Sequence, residues 1–148
     1  MSTPLSPTAV AALLRENSAV QYIDVRTVAE FAQGRPLLRA VNLPLVFFAP
    51  QDGAEVQNAA FVDIVNHLFD AAVPLVLGGD ADDRANRAAA ALQAAGRAGL
   101  SVMDGGLAAW REALLPTTRD NRDGISYVSL LTQFRRQDKR RGSKAGGH

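Results

Sequence analysis

Apolar positions along the chain alternate between a helical and a strand-like period. Val10, Leu13 and Leu14 recur three to four residues apart behind Ser6 and Pro7. A capping residue with proline at the first helical position predicts a short amphipathic helix ending near Glu16. The run "AVQYIDV" then has the β-branched and aromatic content of a buried strand that ends at Asp24 or Val25. Thr27 is placed to cap a short helix, "VAEFAQG", that Gly34 stops. "RAVNLPL" reads as a short strand cut off by Pro44, and "FFAPQDG" as turn-rich loop.

From Glu55 onward Val56, Ala60, Ile64 with Phe61, Leu68 and Ala71 fall on one helical face, a pattern that runs up to Pro74. "PLVLGG" is the next strand, and "RANRAAAALQAAG" a helix with alanine supplying propensity and Gly96 its end. "GLSVMDGG" adds a strand and a turn; "LAAWREALLP" is a last short helix that puts Trp110 in the core. Strands that read as short apolar runs, alternating with helices, predict an α/β protein of three layers, α/β/α, around a central, mostly parallel sheet. Residues 1–116 make that domain, with no repeat and no second domain. Residues 117–148 follow as the connector "TTRDNRDG", an added helix striped by Ile125, Val128, Leu131 (or Leu130) and Phe134, and a basic tail, "GSKAGGH" at its end reading as disordered. The apolar stripe must be covered by this domain or across a homodimer.

Composition narrows the chemistry. The 148 residues are 47% hydrophobic and 21% charged, which suits one soluble core. There is no cysteine, which excludes disulfides, thiolate metal sites, a persulfide carrier and a thiol nucleophile. The N-terminus lacks a basic region, and its apolar stretch Ala9 to Leu14 is too short to cross a bilayer; no membrane partner is expected, with cytoplasmic residence as the default. Net charge is +1, but residues from Phe134 to His148 carry +5 and the remainder −4. That tail is read as a solvated terminus, a non-specific nucleic-acid contact or a dock for acidic surface.

One loop has the position of an α/β active site: Gly78, Gly79, Asp80, Ala81, Asp82, Asp83 and Arg84, between the strand "PLVLGG" and its helix. Helix N-termini favour anions, yet this one is filled with aspartates. Asp83 is expected to cap the helix by accepting from the N–H of Ala85 or Asn86. Each carboxylate would repel an anionic substrate at roughly 6 Å by about 1 kcal/mol, even at a high effective dielectric. A cationic partner is the other use for such a loop. A calcium loop would need a glycine and a bidentate glutamate that are missing, so no metal is assigned. Arg26 and Glu30 read as an exposed i, i+4 bridge. His67 lies alone in a helix, and there is no nucleophile elbow or phosphate-binding loop.

Three segments in order, "YIDVRTVAEFAQG", "AVNLPL" and "MDGGLAAW", resemble the rhodanese-like domain across about residues 6 to 116. The family's usual pattern is Asp-Val-Arg with a downstream Glu-Phe or Glu-Tyr, then Ala-x-Asn-Ile-Pro, then Gly-Gly-x-x-x-Trp. The resemblance implies that the loop after the fourth strand should carry a cysteine that becomes a persulfide. The family's helix-start pattern, roughly Cys-Arg-Ser-Gly-Asn-Arg-Ser-Ala-Arg, is matched by Gly79 to Arg87, keeping Arg84 and Arg87 and placing Gly79 where the cysteine belongs. The Gly-His-Ile-Pro-Gly-Ala stretch becomes "GRPLLRA", one residue longer and without its histidine. In the family the position of Asp24 orders nearby loops. The expectation is therefore a cysteine-less, non-enzymatic binding or regulatory module for a protein partner, without a cofactor. The alternative is an aspartate- or metal-assisted reaction in the same loop.

Overall fold

The computed structural model describes residues 2–81, 83–122 and 125–146, with side chains described as far as residue 137. The chain runs β1 (Thr3–Leu5), α1 (Pro7–Glu16), β2 (Gln21–Asp24), α2 (Val28–Gln33), β3 (Arg35–Pro36), β4 (Ala40–Asn42), β5 (Val46–Phe48) and β6 (Glu55–Gln57). It continues through α3 (Phe61–Leu68), β7 (Leu75–Gly78), α4 (Arg84–Ala94), β8 (Leu100–Met103), α5 (Gly106–Glu112), β9 (Thr117–Thr118) and α6 (Tyr127–Gly146).

Five of these strands form one wholly parallel sheet in the order β1-β8-β7-β2-β4. β2 lies between β4 and the central strand β7: Ile23 is opposite Val41 on one side and Leu77 on the other. Because side chains alternate along a strand, Ile23, Leu75 and Leu77 face a cluster shared with α3, α4 and α6, whereas Tyr22, Val76 and Met103 face one shared with α1 and α5. The expected three layers result. β1 is an edge strand that the sequence reading left unassigned; Pro4 is tolerated in it because an edge does not require every N–H.

Helix starts follow local chemistry where the cap residue has extended backbone. Ser6 Oγ accepts from the Ala9 N–H at 3.1 Å, and Thr27 forms a reciprocal box with Glu30. The stretch from Glu55 is different: Glu55–Gln57 is a strand, not a helix, and it pairs antiparallel with β5 inside the segment expected to be loop. Val56 fits the helical period but is 49% exposed, and Asn58 ends the strand, its side chain accepting from the Ala60 N–H before α3 begins at Phe61.

The connector also contributes structure, with Thr117–Thr118 pairing to β3. α6 starts at Tyr127, which sets its phase: Tyr127 and Leu130 are buried, Leu131 and Phe134 pack against the same cluster, and Val128, expected in the stripe, is instead 65% exposed. Each buried member contributes about 1.5–3 kcal/mol, so this helix is covered by its own chain. Its backbone continues through Gly142 to Gly146, where disorder was expected. One glycine costs a helix about 1 kcal/mol and does not by itself end it. Gly147 and His148 lie outside the described residues. Among those described, no helix is long and apolar enough to cross a membrane.

Candidate functional site

The site is built on the C-terminal ends of β2 and β7, where parallel sheets expose their loops. Asp24 closes β2. Its carboxylate accepts from the Arg26 backbone N–H at 3.0 Å, from Nε at 2.9 Å and from Nη2 at 2.7 Å. Arg26 Nη2 also donates to the Gly34 carbonyl, and Asn42 Nδ2 donates to the carbonyls of Asp24 and Arg26. Both charges are almost sealed, at 1% and 3% exposure. Burial works against the Arg26 charge, but the hydrogen bond and field of Asp24 outweigh it, so its pKa lies above the ordinary value. Tyr22, beneath this pair, is held neutral by burial and by the Asp24 charge, and its hydroxyl has no partner among the described residues.

Arg26 is therefore not the exposed partner of Glu30. It reaches only that residue's carbonyl, at 3.4 Å. The Glu30 carboxylate instead receives two bonds from Arg84, at 2.7 and 2.9 Å, while one oxygen completes the cap on Thr27. The short-range rule fails here because pairing of β2 with β7 brings residue 84 to the start of α2. Arg84 hydrogen bonding, opposed by burial and aided by the Thr27 N–H, lowers the Glu30 pKa to about 2. The Arg84 guanidinium also sits 5.6 Å from the centre of the Phe48 ring, so the β5–β6 hairpin covers it.

The loop itself is shaped by backbone contacts. The Gly78 carbonyl accepts from the Val25 N–H at 2.9 Å, and the Gly79 carbonyl accepts from the Leu107 N–H at 3.0 Å. A Cβ on Gly78 would overlap the Tyr22 hydroxyl, and one on Gly106, at φ +61°, would overlap the Asp80 carbonyl. Both positions need glycine for close approach, and Gly106 for its left-handed backbone as well. Gly79 is different, since a Cβ there would meet Val25 Cγ2 at 3.5 Å and Ala85 at 3.9 Å, ordinary contact.

The structure brings Gly78, Gly79, Asp80, Ala81, Asp83 and Arg84 into this one turn; Asp82 lies outside the described residues. Asp83 does not cap α4 with its side chain. Its φ of −93° and ψ of 5° are not the extended backbone a cap requires, and its carboxylate turns outward to Arg87 Nε at 3.1 Å. Arg87 in turn forms a two-pronged pair with Glu55 at 2.9 and 3.0 Å. Asp80 accepts from the Ala81 N–H and borders a cleft of about 300 Å³ with Arg26, Glu30, Gly34, Leu107 and Arg111. Among the described residues no group of three His, Cys, Asp or Glu side chains comes together to hold a metal.

The family model for the rhodanese-like domain matches residues 6–113. This chain belongs to the rhodanese-like family. Thiosulfate sulfurtransferase 18 of Arabidopsis thaliana is 31% identical over 107 residues, covering 72% of this chain and 77% of that protein. The senescence-associated protein DIN1 of Raphanus sativus is 31% identical over 96 residues, 65% of this chain and 51% of the relative. In structure, the Alr3790 protein from Anabaena superposes with a TM-score of 0.63 at 22% identity over 77% of this chain and 90% of its own, a likeness of fold.

In this rhodanese-like domain the nucleophile of the family is absent, because the chain has no cysteine. Sequence reasoning missed Glu30, Phe48, Glu55 and Arg111 as members of the site. Only Glu30 had a signal, as the acid of the family's Glu-Phe pair. The others reach the loop from a hairpin and a helix whose placement depends on tertiary packing.

Proposed function

We propose that this rhodanese-like domain carries no persulfide and works as a non-catalytic binding or regulatory module, using the cleft and rim around its former nucleophile loop. The observation that carries the reading is a rhodanese-like chain without any cysteine, whose loop between β7 and α4 begins with two glycines. Sulfur transfer from thiosulfate needs a thiolate, and no other residue type in the loop can carry a persulfide. The electrostatics support the same reading. Arg84 is engaged by Glu30, and Asp80 borders the cleft that an anionic substrate would approach.

The cleft offers a partner charges of both signs, with Asp80 beside Arg111, and no carboxylate among the described residues pairs with Arg111. Phe48, whose ring lies against Arg84, is 47% exposed, apolar area that a docked protein would cover. A thiosulfate:cyanide assay on the purified chain is expected to give no turnover above a heat-denatured control. Turnover well above that control overturns the proposal.

A further inference from the structure

The opposite end of the sheet holds a second cleft of about 310 Å³, at the low end of the roughly 300–1,000 Å³ typical of small-molecule sites. α1 and α5 each run back from the loop side, so their C-terminal turns meet the segment before β4 at the sheet edge farthest from Gly79. Leu14, Leu38, Leu115 and Trp110 line the cleft between them. Trp110 is 1% exposed and its Nε1 donates to the Pro116 carbonyl at 2.7 Å, so the indole is fixed beneath the floor of the cleft.

The edge of this cleft is cationic. Arg39 is anchored by three carbonyls at the end of α1, those of Leu14, Asn17 and Val20, at 2.7 to 3.0 Å. Arg15, one turn away, is exposed and has no ion pair among the described residues. No Asp or Glu lines the cleft. Leu37, at 54% exposure, extends its apolar wall into solvent.

We propose that this cleft binds a small anionic amphiphile, a ligand with an aliphatic or aromatic body of modest size and one carboxylate or sulfonate group. The body covers Leu37, Leu38 and Leu115 above the indole, and the charged head sits at Arg15 and Arg39. This site is separate from the loop of the proposed function, and neither depends on the other.

Trp110 is the chain's single tryptophan, so its fluorescence reports on this site alone. Octanoate is the probe, with octanol as the uncharged match. Saturable change in Trp110 emission with octanoate is expected, weaker by about fivefold in Arg15→Glu, while octanol binds both forms alike. Leu37→Asp, a change at an exposed side chain, is expected to weaken both probes with the fold retained by circular dichroism. No saturable change with octanoate, or equal octanoate affinity in the folded Arg15→Glu variant, overturns the proposal.

Discussion

Two arginine–carboxylate pairs stand a few residues apart at the end of β2, with nearly the same bond lengths and very different surroundings. Asp24–Arg26 is sealed at 1% and 3% exposure, whereas Glu30–Arg84 joins a buried guanidinium to a carboxylate that is 29% exposed. The first fixes the strand end and the α2 entry from inside. The second ties α2 to the start of α4 across the mouth of the site. A sealed pair cannot lose one member without stranding the other charge, while a pair at the mouth can fall back on water. Geometry alone would rank them equal; burial separates them.

Removing one side of the inner pair is the sharpest way to test that ranking. Arg26→Ala leaves Asp24 charged and buried, and urea unfolding is expected to show a loss of about 3–5 kcal/mol. A loss under about 1 kcal/mol would show that the strand end relaxes enough to hydrate Asp24.

The outer pair has a pH signature. The Glu30 pKa is about 2 in the folded chain, against an ordinary value of 4.5, so its contribution is complete above about pH 4.5 and is lost as pH falls toward 2. Glu30→Gln keeps an oxygen for the Thr27 N–H but not the charge. The stability gap between wild type and this variant is expected to be up to about 3 kcal/mol at pH 7 and to close near pH 2. A gap that stays constant across that range would mean that packing, not charge, holds the latch.

A third pair extends the series outward. Arg87 and Glu55 are 35% and 39% exposed, and Arg87→Ala is expected to cost about 0.2–1 kcal/mol, shrinking as salt is added. The smallest effect belongs to Tyr22, whose hydroxyl lies buried without a partner beneath the inner pair. Tyr22→Phe is expected to change stability by less than about 0.5 kcal/mol or to raise it slightly. A larger loss would place the phenol inside the Asp24–Arg26 network.

The same contrast explains what could be read from the chain. Ser6 and Thr27 were legible as caps because a cap involves neighbours three residues on. The inner strands β2, β7 and β8 were legible because burial on both faces leaves a continuous apolar run, whereas the exposed edge strand β1 was not. Glu30 was assigned to Arg26 for the same local reason, wrongly, since the partner that wins comes from residue 84 through strand pairing. Val56 was drawn into a helix because a single exposed valine satisfies either period. The reading of Gly79 as the family's cysteine position rests on the order of three family segments. Asp83 was expected to cap α4, but it points along its own helix to Arg87.

The route of the nucleophile loop is set from outside it. The Tyr22 ring lies under Gly78, and the left-handed turn at Gly105 and Gly106 presses on Asp80, so the backbone is moulded by residues that carry no chemistry. For protein engineering this makes the loop a socket with a fixed rim. New side chains can be fitted at Gly79 with the neighbours left alone, while the glycines at 78 and 106 are the fittings that cannot be exchanged.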